Sequence, residues 1–257
     1  MKEFCIYIDG LFYKGAGIGR YYESLTKELS NRNIKIITSI PKKLRNEFEK
    51  DFAEYPNIEP IFVDYEKFSL KGFYQHSKIL KELKNKVDLF FYPHINLPYY
   101  IPERTVITIH DLRPFTPYWD RNKIKLNIFG YFLKRAVLYS QRIICISKTV
   151  ETSLLSFYSA AENKTCVIYR FIDEKFMSNE FTKPIIPGSY VLFVGSRKKH
   201  KNLGMLIKSF NNIKRIVPHN LVIAGSKESD FDEIDDLKEI LHLKDRIIEV
   251  LSPDDNT

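Results

Sequence analysis

The segment YVLFVGSRKKHKNLGMLIKSF, residues 190–210, decides the fold. Its first five residues are aromatic or β-branched with one leucine, the make-up of a strand buried in a parallel sheet. Gly195 closes that run where the backbone has to turn. Leu203, Leu206, Ile207 and Phe210 then recur at helical spacing, so a helix begins near Lys201 or Asn202. A helix start presents unpaired N–H groups and the positive end of a dipole, and Arg197, Lys198, Lys199 and Lys201 add cations around it. Strand, turn and helix together read as a phosphate site, whereas the charge run alone would read as a solvated loop.

A second unit of the same kind lies near the amino terminus. Residues 4–8 are strand-like, the loop DGLFYKGAGIG over residues 9–19 holds four glycines, and Tyr22, Leu25 and Leu29 form a helical stripe after it. Glycines let a backbone approach a ligand closely. The spacing of Gly15, Gly17 and Gly19 is G-x-G-x-G, which departs from the dinucleotide fingerprint.

Between and beyond these units, strand and helix signals alternate. Strands are predicted over residues 34–39, 61–63, 87–92, 105–109, 142–146, 166–169, 221–224 and 246–251, and helices over 20–30, 47–54, 75–84, 124–139, 201–216 and 234–241. Ser147 is the expected N-cap of a further helix carrying Val150, Leu154 and Phe157. The fold class is therefore α/β, in two Rossmann-like domains: residues 1–175, a linker at 176–189 with Pro184, Pro187 and Gly188, and a second domain at 190–257. The strand TVITI ends at His110 and Asp111, the end of an α/β sheet where ligands bind.

Composition narrows the function. The 257 residues are 44% hydrophobic and 28% charged, as in ordinary globular chains. The longest apolar runs are strand-sized, and Cys5, Cys145 and Cys166 stand singly without metal-ligand or disulfide spacing, so buried reduced thiols and a cytoplasmic location are expected. The net charge of +8 suits an anionic partner, yet no nucleic-acid-binding module is visible, so no nucleic acid is expected. Arg121, Lys123, Lys125, Lys134 and Arg135 punctuate an apolar helical stretch. An interfacial helix has this pattern, which would place the protein peripherally at the inner face of a membrane, but a core helix with a basic solvated side has it too.

Five marks in order, GAGIGRY at 15–21, TIHDLRPF at 108–115, ICISKTV at 144–150, VIYRFID at 167–173 and VLFVGSRKKHKNL at 191–203, resemble the retaining glycosyltransferases with two Rossmann-like domains facing a cleft, the GT-B type of family 4, group 1. The resemblance implies a hexosyltransferase that moves a sugar from a nucleotide-sugar donor to a glycan or lipid-linked acceptor with retention, in surface-polysaccharide assembly. It implies no cofactor and no metal. Carried over by position, it makes Lys201 a donor diphosphate ligand with Arg197 as substitute for the usual arginine, points Gly17 and Gly19 at the donor phosphates or the acceptor, and sets His110 by the donor sugar near the reacting carbon. Asp111, Ser147 and Asp173 become cleft candidates.

Three departures stand out. Ser196 and His200 occupy the positions where the family often has an arginine, and Arg170 and Phe171 replace its usual asparagine and glycine. The family's later pair of glutamates, which holds the rest of the donor, has no counterpart before Thr257, so the second domain reads as incomplete. That leaves a noncatalytic remnant or a subunit completed by a partner as the alternative, and a sugar-nucleotide epimerase of similar fold as a third reading.

Overall fold

A computed structural model describes residues 4–116, 122–170, 186–198, 201–226 and 234–253. The chain divides into two compact units, Met1–Met177 and Ser178–Thr257.

The first unit is a seven-stranded parallel sheet in the order β3-β2-β1-β4-β5-β6-β7, with β1 Cys5–Asp9, β2 Lys35–Pro41, β3 Ile58–Val63, β4 Leu89–Tyr92, β5 Thr105–Ile109, β6 Arg142–Cys145 and β7 Thr165–Val167. Parallel neighbours require crossovers, which α1 Ala16–Asn31, α2 Arg45–Asp51, α3 Leu70–Leu83, α4 Lys123–Tyr139 and α5 Lys148–Phe157 help supply. The order reverses between β1 and β4, which pair Ile6 with Leu89 and Ile8 with Phe91. This reversal is the topological switch point, where the connections leave in opposite directions and open a crevice at the strands' carboxyl ends.

Two apolar clusters flank the sheet. Tyr7, Phe90, Tyr92, Ile107 and Leu133 anchor one, and Ile8, Tyr22, Ile36, Ile40 and Phe48 the other. Alternate residues of β1 thus feed opposite faces, as the pleat requires. Tyr22 is fully buried and its hydroxyl pairs with Thr38 Oγ1 at 2.8 Å, so its burial leaves no orphaned oxygen. Ser147 caps α5 as expected, its Oγ accepting from Val150 N at 3.2 Å.

The second unit has three parallel strands among its described residues, in the order β10-β9-β8, formed by β8 Tyr190–Val194, β9 Asn220–Gly225 and β10 Ile247–Leu251, with α6 Leu203–Ile213 and α7 Ile234–Ile240. Leu203, Ile207, Phe210, Leu221, Ile223 and Ile247 make its core.

Three expectations need correction. α1 starts at Ala16, not near Arg20, so Gly17 and Gly19 lie in its first turns instead of a preceding loop. The glycine at 19 allows this: a Cβ there would sit 2.6 Å from the Phe12 carbonyl oxygen, so the loop folds back against the helix only where no side chain intervenes. β8 is not enclosed, because among the described residues it is an edge strand, with Val194 71% exposed. Cys166 is exposed on the edge strand β7, while Cys5 and Cys145 are buried and burial pushes the Cys145 thiol up to about 12.

Candidate functional site

At the switch point, the carboxyl end of β1 delivers Asp9, only 1% exposed. Its Oδ1 lies 3.0 Å from His94 Nε2 and accepts from Leu11 N at 3.0 Å, and its Oδ2 lies 3.2 Å from His76 Nε2. His94 follows β4 and its Nδ1 accepts from Asn96 N at 3.1 Å, so Nε2 carries the proton given to Asp9. His76 comes from α3 and also meets the hydroxyls of Tyr7 at 2.8 Å and Tyr65 at 2.9 Å. Burial by itself would raise the Asp9 carboxyl, but the two imidazoles outweigh it and hold that group below the usual carboxylate range. Burial and the Asp9 charge push the Tyr7 phenol well above its ordinary value. An ionised carboxylate thus sits at the centre of a buried polar network joining β1, α3 and the segment after β4. Sequence reasoning missed it, and its signal was an aspartate ending an apolar strand.

His110 leaves β5 on the same side of the sheet. Its Nε2 donates to the Pro93 carbonyl at 2.8 Å, one residue from His94. Its Nδ1 is buried and has no partner among the described residues. The ring packs edge-on to Tyr21, centroids 5.1 Å apart, and Tyr21 reaches Thr108 Oγ1 at 3.2 Å. Arg170 lies over the other part of this group, 5.8 Å from the Tyr21 ring, and donates to the Gly17 carbonyl at 3.0 Å. Burial pushes the His110 pKa down, and the Arg170 charge adds to this against the opposing Pro93 hydrogen bond. A neutral imidazole with an unpartnered, buried Nδ1 results. The structure therefore brings together His110, Gly17 and the unexpected Arg170. Gly19 is one turn into α1 and Ser147 is engaged as a helix cap. Asp111 turns away into a local motif, accepting from Arg113 N at 3.2 Å and pairing with Arg113 Nη2 at 2.9 Å.

Beside the Asp9 network lies a cavity of about 290 Å³. Asp9 and His76 line it together with Lys67 and Ser69 of the segment before α3, Asn96 after β4, and Phe132 of α4. Arg135 of α4 donates to the carbonyls of Leu97, Pro98 and Tyr99, which pins the post-β4 segment that forms one wall.

In the second unit, α6 is preceded by Asn202 in the left-handed conformation, φ 53°, and the exposed Lys201 lies just before it. Among the described residues, Lys201 makes no ion pair. Arg197 differs from the mobile cation expected at this turn: it is 3% exposed and its Nη1 lies 2.6 Å from Glu249 Oε2 on β10. Lys238 pairs with the same glutamate. Two cations on one carboxylate, against burial, hold Glu249 below its ordinary value. Lys199, His200 and Asp173 lie outside the described residues. Among those described, no group of three or more His, Cys, Asp or Glu side chains could hold a metal ion.

The sequence profile of Glycosyltransferase Family 4 matches residues 15–176. No curated protein sequence is significantly similar to the chain. Among solved structures, a glycosyltransferase from Rickettsia africae ESF-5 aligns at 16% identity over 99% of this chain and 70% of its own, with a TM-score of 0.71. WaaG, a glycosyltransferase involved in lipopolysaccharide biosynthesis, aligns at 11% over 99% and 71%, with a TM-score of 0.64. HepE from Anabaena, in complex with UDP and glucose, aligns at 14% over 98% and 70%, with a TM-score of 0.61. At these identities the likeness concerns the fold.

Proposed function

We propose, from the premise that this chain belongs to Glycosyltransferase Family 4, that it transfers a hexose with retention from a nucleotide sugar to a glycan or lipid-linked acceptor in surface-polysaccharide assembly. The observation that carries this reading is His110: a neutral, half-buried imidazole at a strand's carboxyl end, its Nε2 spent on Pro93 and its buried Nδ1 left without a hydrogen-bond partner among the described residues. HepE, of the same fold, holds UDP and glucose, which supports a nucleotide sugar here.

In this mechanism the donor's diphosphate gathers negative charge as the glycosidic bond breaks, and fixed cations stabilise it without reorganising. Lys201 before α6 supplies one such charge; Gly17 in the first turn of α1 remains a candidate for a phosphate oxygen, whereas Gly19 is packed against the Phe12 carbonyl. Arg197 serves only by exchanging Glu249 for phosphate. On the retaining course the departing phosphate oxygen takes the proton of the attacking hydroxyl on the same face of the sugar. No separate carboxylate base is then needed, and neither metal nor cofactor enters. We place the protein at the inner face of the cytoplasmic membrane, held peripherally; among the described residues no helix is long and apolar enough to cross one.

Calorimetric titration of the folded protein with a panel of nucleotide sugars tests the reading. One donor should bind, and Lys201→Ala should weaken it roughly 10- to 100-fold, the worth of a charge-assisted hydrogen bond of about 1.5–3 kcal/mol. Absence of binding by every donor would leave a noncatalytic or partner-completed subunit.

A further inference from the structure

The cavity beside Asp9 opens among side chains that water does not favour. Phe68 is 67% and Leu70 81% exposed, and Ile128 and Tyr131, which line the same cavity, are each more than half exposed. Ile124, Ile128 and Tyr131 recur at positions i, i+4 and i+7 of α4 and form a stripe on the side opposite the buried Leu133, Ala136 and Val137. α4 therefore has two apolar faces, and one of them has no protein over it among the described residues. Exposed apolar surface gathered from separate segments marks an interaction site. Lys123, Lys125 and Lys134 flank that stripe and the helix contains no acidic residue, which is charge complementarity to an anionic lipid surface.

The polar groups of the cavity point the same way. Asp9 already receives three hydrogen bonds, and Glu66 is paired with Lys43. Lys67 has no ion-pair partner among the described residues and rests against the Phe12 ring, 4.2 Å from its centroid. Burial pushes the Lys67 pKa down, and an anion beside it favours the charged form against that burial. The cavity's capacity for a new charge is therefore for a negative one, while Phe68, Leu70, Phe73, Ile128, Tyr131 and Phe132 offer apolar walls.

We propose that this cavity holds the lipid end of the acceptor, a membrane-held lipid phosphate that carries a glycan: its aliphatic chain lies against the walls from α3 and α4, its phosphate on Lys67, and a hydroxyl of the glycan beyond the phosphate is the attacking group that gives its proton to the donor's departing phosphate. The inference rests on the glycosyltransferase reading and narrows its acceptor to one class. Geometry supports it: residues 93–98 run from the carbonyl that holds His110, through His94 on Asp9, to the cavity wall at Asn96 and Leu97. A cavity of about 290 Å³ takes a segment of chain and not a whole glycolipid, which leaves the rest of the acceptor outside it.

Calorimetry with octyl and dodecyl phosphate below their micelle-forming concentrations, with inorganic phosphate and with a free hexose, tests this. One dodecyl phosphate should bind per chain, octyl phosphate more weakly by up to about 4-fold per missing methylene, and the other two should not bind. Lys67→Ala should cost at least about 10-fold and Lys67→Arg should restore most of it, with thermal melts showing both variants folded. Ile128→Glu should reduce cosedimentation with phosphatidylglycerol vesicles. Equal affinity for both chain lengths, many molecules bound per chain, or preference for the hexose would overturn the proposal. Donor binding without dodecyl phosphate binding would fell this inference alone, and the reverse result would fell the glycosyltransferase reading while leaving the site.

Discussion

At the scale of single residues, the Asp9 network and His110 are where local chemistry departs from ordinary values. The Asp9 carboxyl is depressed in the folded protein, so its contribution to stability is present above the unfolded carboxylate pKa of about 3.9 and is lost as pH falls toward the lower folded value. Asp9→Asn offers one oxygen where three donors converge, so an imidazole N–H is left facing an amide N–H. The variant should lose about 1–3 kcal/mol at neutral pH and show a shallower acid limb in denaturation monitored by circular dichroism. An unchanged midpoint at pH 7 would show the network to be energetically idle. His110 is shifted in the other sense for a base: its folded pKa is lowered, so the neutral form is the native one and protonation costs stability as pH falls below about 6.5. Burial is the larger cause and Arg170 a lesser one. The His110 ring resonances should therefore titrate below the ordinary histidine value, and Arg170→Gln should move that titration upward by a fraction of the total displacement. A titration unmoved by the substitution would remove Arg170 from the electrostatics of the site.

At the scale of elements, α1 shows how sterics set a boundary that periodicity could not. Its apolar stripe begins at Tyr22, so the pattern alone dates the helix from about Arg20, but the backbone is helical from Ala16 because the glycines before the stripe permit close packing of the loop. The two glycines differ in what a methyl group would meet. At Gly19 it would strike backbone, the Phe12 oxygen at 2.6 Å, and at Gly17 it would have only Arg170 Nη1 at an ordinary 3.6 Å. Gly19→Ala should thus destabilise by about 1–3 kcal/mol, and Gly17→Ala should be neutral or stabilise by up to about 1 kcal/mol through helix propensity. Thermal melts check both. If the first turn of α1 also meets the donor phosphates, Gly17→Ala will weaken nucleotide-sugar binding while leaving the melt intact, which separates recognition from folding. α4 carries the complementary lesson, since its sequence admitted either a core helix or an interfacial one. Packing shows one apolar face buried and the opposite one exposed.

At the scale of the whole molecule, the two units differ in how much structure each has to hold itself. Among the described residues, the first has a seven-stranded sheet with a core on each face, and the second has three strands, one core cluster and an exposed β8. Amide hydrogen exchange should find the most protected sites in β1 and β4 and lower opening free energies throughout the second unit, β9 included. Equal protection of β9 and β1 would mean that the units unfold as one. The sequence by itself determined the α/β class, the order of elements, the ends of β5 and β8, the cap at Ser147 and the family motifs, because periodicity, turn residues and capping are local and are written within a few residues of one another. Only the tertiary structure decided that β1 and β4 are neighbours, and hence that Asp9, His76 and His94, separated by up to 85 residues, share one buried charge. It also decided that Arg197 is committed to Glu249, that Arg170 stands by Gly17 and Tyr21, and that α3, α4 and the post-β4 segment enclose a cavity. The physical reason is the same in each case: a hydrogen bond or ion pair between distant residues depends on strand order and packing, which no local pattern encodes.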